Sequence, residues 1–213
     1  MQKNRRVLLI TGTSSGLGKD LSKYFLKKNY TVFGCSRSKS KISSKFYNHR
    51  ILNVNDETDV KKWVNDAYAK HKKIDYLINN AALIPTSYPS ILNDKDLITR
   101  VFEINVISQI SIINETAKKM IQKKFGRIVN FSSMAVGLLE EGTSLYSASK
   151  NSLDTYSKIL SKELAKANIT CNTVAPSMYN TKSFQELGTK IINSSKKKLQ
   201  VQRELKLEEI TNV

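Results

Sequence analysis

Cysteine is nearly absent. Only Cys35 and Cys171 occur, far apart, each in an apolar strand-like run, and there is no Cys-x-x-Cys. A disulfide framework is excluded, and the two read as buried free thiols in a reducing compartment. Histidine is equally scarce: His49 and His71 have no partner at metal-ligand spacing, so no zinc or other transition-metal site is expected. With 3 prolines and 8 glycines there is no Pro/Gly/Ser-rich linker, nor any internal repeat, and residues 1–213 read as a single domain. No apolar run approaches the roughly 18 residues of a transmembrane helix. The apolar stretch 7–10 is too short for a signal peptide, so a cytoplasmic protein without a membrane partner is expected.

Arginine is also sparse, since 28 of the 35 basic residues are lysine. A net charge of +17 invites a nucleic-acid reading. The lysines, however, are scattered through every predicted helix, with Lys196-Lys197-Lys198 the one block. Diffuse lysine is ordinarily solvated surface, and arginine is the better base reader, so no nucleic-acid partner is expected.

What is present is an alternation. Short apolar, β-branched runs at 6–11, 31–36, 50–54, 74–79, 127–132 and 169–174 predict strands. Longer amphipathic runs at 16–28, 57–72, 94–123 and 144–166 predict helices, the third open to a break. Near-continuous apolar strands between helices predict an α/β fold with a parallel sheet covered on both faces.

The first strand and helix are joined by TGTSSGLG, residues 11–18. Gly12 suits the positive φ of a tight turn, and Gly16 and Gly18 allow close approach of a ligand and of the strand. The first-turn N–H groups, Leu17 among them, then face a pyrophosphate at the positive end of the helix dipole, with hydroxyls from Ser14 and Ser15. The second strand ends in Ser36 and Arg37, with Lys39 and Lys41 behind. An acid there would grip a ribose 2′-hydroxyl, whereas arginine offers a fork to a 2′-phosphate. NADP(H) is favoured over NAD(H).

Tyr146 precedes Lys150 by four residues, which stacks both on one helix face. Tyr24/Lys28 and Tyr68/Lys72 have the same spacing, where composition predicts about one such pair, so spacing alone decides nothing.

Taken together, these motifs resemble the classical short-chain dehydrogenase/reductase family over nearly the whole chain. Thr11-Gly12 with Gly16 and Gly18 matches its cofactor motif, Asn79-Asn80-Ala81 its Asn-Asn-Ala, Asn105 its helix asparagine, and Tyr146 with Lys150 its Tyr-x3-Lys. Ser133, 13 residues before Tyr146, matches its serine. The resemblance implies a Rossmann-like, doubly wound sheet of order 3-2-1-4-5-6. It implies hydride transfer between a nicotinamide cofactor and a carbonyl or alcohol carbon of a small molecule. By it Tyr146 is the general acid/base and Lys150 lowers the phenol's pKa and holds the nicotinamide ribose. Ser133 polarises the substrate oxygen, and Asn105 holds a water in a proton relay. Asn53 and Val54 would meet adenine, Asn79 and Ala81 the ribose side, and Pro176, Tyr179 and Thr181 the carboxamide.

Three departures stand out: Ala82 and Ser177 replace glycines of the family pattern, and Ser15 replaces a basic residue. The family also continues past Val213 with a seventh strand, so that strand is expected to be absent here. Residues 177–195 are expected to form a substrate lid. Leu83, Ile84, Pro85, Met134, Leu138, Leu139 and Met178 are expected to form an apolar substrate wall. A homodimer or homotetramer is implied where the C-terminus permits. The rival readings are a cofactor-binding protein without turnover and a basic nucleic-acid-binding protein on the same fold.

Overall fold

The structure, a computed structural model, describes residues 5–85, 89–181, 185, 196–197, 199 and 201–212. Six strands run parallel in the order β3-β2-β1-β4-β5-β6. They are β1 (Val7–Thr11), β2 (Thr31–Ser36), β3 (Tyr47–Ile51), β4 (Tyr76–Asn79), β5 (Gly126–Phe131) and β6 (Ile169–Val174). The helices are α1 (Gly16–Lys27), α2 (Glu57–His71), α3 (Lys95–Phe102), α4 (Ser108–Lys123), α5 (Ala135–Leu138), α6 (Ser144–Leu164) and a short α7 (Leu207–Thr211).

The β1 side chains alternate between two cores, as strand geometry requires. Val7 and Leu9 join the cluster of Trp63, Ile112, Met120 and Leu153, under α2, α4 and α6. Leu8 and Ile10 join Leu17, Leu21 and Ile210, under α1 and α7. A strand buried on both faces has no polar face to show, which is why it reads as an unbroken apolar run.

One expectation is corrected. The third strand lies at Tyr47–Ile51, not at 50–54, with Val32 opposite Tyr47 and Ser36 opposite Ile51. It is a half-exposed edge strand of mainly polar residues, while the apolar Leu52 and Val54 are buried just beyond it. The long third helix is broken by a π turn, Glu103–Ile107, which contains Asn105. Such turns widen the helix locally and are frequent at functional sites. The expected lid at 177–195 falls largely outside the described residues, at 182–184 and 186–195. Among the described residues no helix is long and apolar enough to cross a membrane.

A buried polar ladder ties α6 to the sheet. Asn79 Nδ2 donates to Asn130 Oδ1 at 2.9 Å, and Asn130 Nδ2 donates to Ser157 Oγ at 2.8 Å. Asn130 is fully buried, so Asn130→Ala leaves a donor and an acceptor stranded. The expected cost is about 2 kcal/mol, a fall of about 6 °C in Tm for a chain of this size, measured by thermal melting.

Candidate active site

The C-terminal ends of β1, β4, β5 and β6 form one edge, where open α/β sheets bind ligands. The glycine turn opens it. Gly12 has φ +76°, a conformation a side chain resists, and its N–H donates to the Cys35 carbonyl at 2.8 Å. Gly18 packs α1 against that turn with no space for a Cβ.

Helix α1 differs from α2 and α3 at its start. Asp56 caps α2 and Asp94 caps α3 through their side chains, each with acids in the first turn. The Ser15 side chain makes no cap, and the first turn of α1 carries no acid. Its leading N–H groups are thus left for an anion, which the helix dipole favours. Ser14 and Ser15 flank them, and the Leu17 side chain is buried.

The loop after β6 crosses this turn. A Cβ at Gly16 would lie 3.1 Å from Thr181 Cγ2, and the Tyr179 hydroxyl donates to Asp20 Oδ2 of α1 at 3.0 Å. Pro176 accepts from the Met134 N–H at 3.2 Å, which ties this loop to the one after β5.

The β4 end is pinned by Thr11 and Asn80, motif residues to which the resemblance gave no separate role. Thr11 Oγ1 accepts from the N–H groups of Asn80 at 3.0 Å and Ala81 at 2.9 Å, and Asn80 Nδ2 donates to the Thr11 carbonyl. The Asn79 side chain turns into the core toward Asn130, so any contact it makes with a ligand falls to its main chain. Ala82 and Ser177 have no left-handed backbone, so their side chains introduce no strain.

At the far end, the Ser36 hydroxyl donates to Ser38 O at 2.9 Å and lies 3.3 Å from His49 Nε2. Arg37 is exposed and makes no ion pair among the described residues. Asn53 is exposed and Val54 buried just after β3.

Ser133, Tyr146, Lys150 and Asn105 come from the loop after β5, α6 and the π turn. Ser133 is the second residue after β5; its side chain lies beside the Tyr146 hydroxyl, close enough to favour the ionised phenol, and its Oγ accepts from Ala135 N at 3.2 Å. Lys150, 3% exposed, donates from Nζ to the Phe131 carbonyl at 2.7 Å and sits 5.9 Å from the Tyr146 ring centre. The Asn105 amide brackets Leu83, accepting from its N–H at 2.8 Å and donating to its carbonyl at 2.9 Å, and also reaches Ser149 Oγ at 3.1 Å.

The other Tyr/Lys pairs are elsewhere. Lys28 is exposed beside the Tyr24 ring, and Lys72 is the left-handed cap of α2, with the Tyr68 hydroxyl on Gln122. Burial of the lysine separates the three pairs, a property that spacing does not reveal.

The expected lowering of the Tyr146 pKa is corrected for this structure. Burial pushes the phenol above its ordinary value, and the bond to Ser133 offsets part of that. Burial also pushes the Lys150 ammonium down to about 8, opposed by Asp154. The Lys150 ammonium is engaged by a main-chain carbonyl, and at the tyrosine desolvation outweighs the effect of Ser133.

A parallel sheet of this order, an uncapped glycine turn and a Ser–Tyr pair beside a buried lysine define a dinucleotide-dependent short-chain dehydrogenase site. The family model for short chain dehydrogenase matches residues 6–191, and the chain belongs to that family of NAD(P)-dependent oxidoreductases. It is 29% identical over 218 residues to the 3-oxoacyl-[acyl-carrier-protein] reductase FabG of Buchnera aphidicola subsp. Schizaphis graminum, covering 100% of this chain and 89% of that one. It is 30% identical over 193 residues to carbonyl reductase family member 4 of Xenopus laevis, covering 88% and 81%. Among solved structures, ElxO with NADP bound superposes with a TM-score of 0.91 at 24% identity, covering 98% of this chain and 89% of that one, a likeness of fold.

Proposed function

We propose that the protein is an NADP(H)-dependent carbonyl reductase in which Tyr146 is the proton donor. One observation carries this reading: the Tyr146 hydroxyl meets Ser133 at the end of β5, on the sheet edge that the uncapped start of α1 also faces. The cradle fits a dinucleotide, since its glycines leave no room for side chains and its helix start is free of acid. When bound, the cofactor supplies the hydride.

The remaining work falls to the chain's own residues. Ser133 and Tyr146 bind the carbonyl oxygen, where negative charge develops. The Tyr146 phenol, held protonated by burial, gives its proton to that oxygen, and the reverse reaction takes it back. The Lys150 ammonium compensates the phenolate and holds the nicotinamide ribose. Asn105, its amide engaged on Leu83 and Ser149, would hold a relay water through its main chain. Tyr179 and Thr181 would flank the carboxamide, with Gly12, Gly16 and Gly18 under the pyrophosphate.

Arg37 supports NADP(H) over NAD(H), as an exposed guanidinium just after β2 with no ion pair among the described residues. Arg37→Ala is expected to raise KM for NADPH about tenfold and leave KM for NADH unchanged, as for the loss of an exposed charge-assisted contact. Equal effects on both cofactors would refute the assignment. For substrate, the relatives named for 3-oxoacyl reduction favour a 3-oxoacyl thioester, and a net charge of +17 suits an anionic carrier. Exposed Ile84, Leu138 and Leu139 offer an apolar rim for it. NADPH oxidation with acetoacetyl-coenzyme A, set against an aldose and a small aliphatic ketone, tests this. Faster turnover of either alternative would overturn the thioester reading.

A further inference from the structure

Phe131, Ser132 and Ser133 are consecutive at the end of β5, and each meets a different residue of α6. The Phe131 carbonyl takes Lys150 Nζ at 2.7 Å, Ser132 Oγ donates to Asp154 Oδ2 at 2.8 Å, and Ser133 lies beside the Tyr146 hydroxyl. Tyr146, Lys150 and Asp154 are spaced by four and form one column along the helix. The first two belong to the proton-transfer site. The third has had no role so far.

Asp154 is held in an unusual way. Its Oδ1 is buried and has no hydrogen-bond partner among the described residues. Keeping an acid oxygen from water without a donor costs free energy. The bond from Ser132 does not call for an acid, because a neutral amide oxygen accepts it equally well. What only an acid supplies is negative charge one helical turn from Lys150.

We propose that Asp154 is the counter-charge of Lys150 and hence a positioning residue of the proton-transfer site, a role that rests on the function proposed above. The titratable groups at Lys150 are Tyr146 and Asp154, both on α6. The end of β5 presents a carbonyl and the hydroxyls of Ser132 and Ser133, and the π turn presents the Asn105 amide with Ser149 beside it. Asp154 is the one carboxylate acting on Lys150 among the described residues. It is not in a direct ion pair with the lysine: its Oδ2 is taken by Ser132, and Nζ by Phe131. The carboxylate therefore supports the ammonium through its field and leaves the ammonium protons for other partners.

The sign follows from burial. Lys150 already titrates low, so removing the nearby negative charge lowers it further, and the ammonium is lost at a lower pH. Asp154→Asn keeps the size and the acceptor for Ser132. In the cofactor-free protein, the Lys150 13Cε signal, identified by its absence in Lys150→Arg, is expected to titrate about one unit lower in Asp154→Asn than in the parent. Asp154→Ser, smaller and equally neutral, is expected to give the same midpoint. With NADPH and acetoacetyl-coenzyme A, turnover at pH 8 is expected to fall about fivefold in Asp154→Asn, through the smaller fraction of charged lysine. An unchanged Lys150 midpoint in both variants would overturn the proposal. If the parent reduces no carbonyl, the proposed function fails, while the lysine titration still decides whether Asp154 is the counter-charge.

Discussion

Replacing Tyr146 by phenylalanine is expected to cut carbonyl reduction about a thousandfold and to leave NADPH affinity within a few-fold. The ring and its packing survive, and the loss is the hydroxyl that meets Ser133. A positioned proton donor contributes typically about a hundred- to ten-thousandfold, and no other phenol is placed at this edge beside a buried lysine among the described residues. The measurement is kcat at saturating NADPH, with cofactor affinity followed by fluorescence. The separation of the two quantities matters, since a phenylalanine that damaged the cleft would weaken both. Turnover equal to the parent's would remove Tyr146 from the mechanism.

The second large effect is expected at Gly18. A Cβ there would collide with the Gly12 carbonyl oxygen and lie 2.5 Å from Asn80 Nδ2. Neither can yield cheaply. The carbonyl is main chain in a left-handed turn, and the Asn80 amide is donating to the Thr11 carbonyl at 2.9 Å. Gly18→Ala must therefore push α1 off the turn, at a cost of about 2 kcal/mol for overpacking. A fall of about 6 °C in Tm and about a hundredfold weaker NADPH binding are expected. Gly137→Ala is the control, because a Cβ there meets nothing within 4 Å. Equal behaviour of the two variants would show that the close approach at Gly18 has no bearing on the cofactor cradle.

Much of this was legible in the chain because local and global preferences agree. β1 and β2 are runs buried throughout, β6 alternates buried Ile169 and Cys171 with exposed Thr170 and Asn172, and the placement of all three follows directly. β3 was misplaced because an edge strand keeps polar residues on an exposed side, while the buried Leu52 and Val54 drew attention to the loop beyond. The break at Asn105 was readable only as an overlong helix, since a π turn has no strong residue signature. At the site, family spacing selects Ser133 over Ser132, while both serines in fact face α6, Ser132 meeting Asp154 and Ser133 lying beside Tyr146. The upward direction of the tyrosine pKa was not legible, because it depends on where the Lys150 ammonium points and how deeply the pair is buried. Asp154 itself was one helical turn from Lys150 throughout. Spacing could have proposed it, but only its contact with Ser132 and its orphaned oxygen single it out.

The central claim, that this cleft passes hydride from a nicotinamide to a carbonyl carbon, is tested most directly by isotope transfer. The protein is incubated with NADPH carrying deuterium at both C4 positions and with acetoacetyl-coenzyme A, and the product is examined by mass spectrometry and NMR. The account predicts one deuterium on C3 of 3-hydroxybutyryl-coenzyme A with the parent protein and none above background with Tyr146→Phe. NADPH that binds tightly yet passes no deuterium to this thioester, an aldose or a small aliphatic ketone would contradict it, and would leave a cofactor-binding protein without turnover.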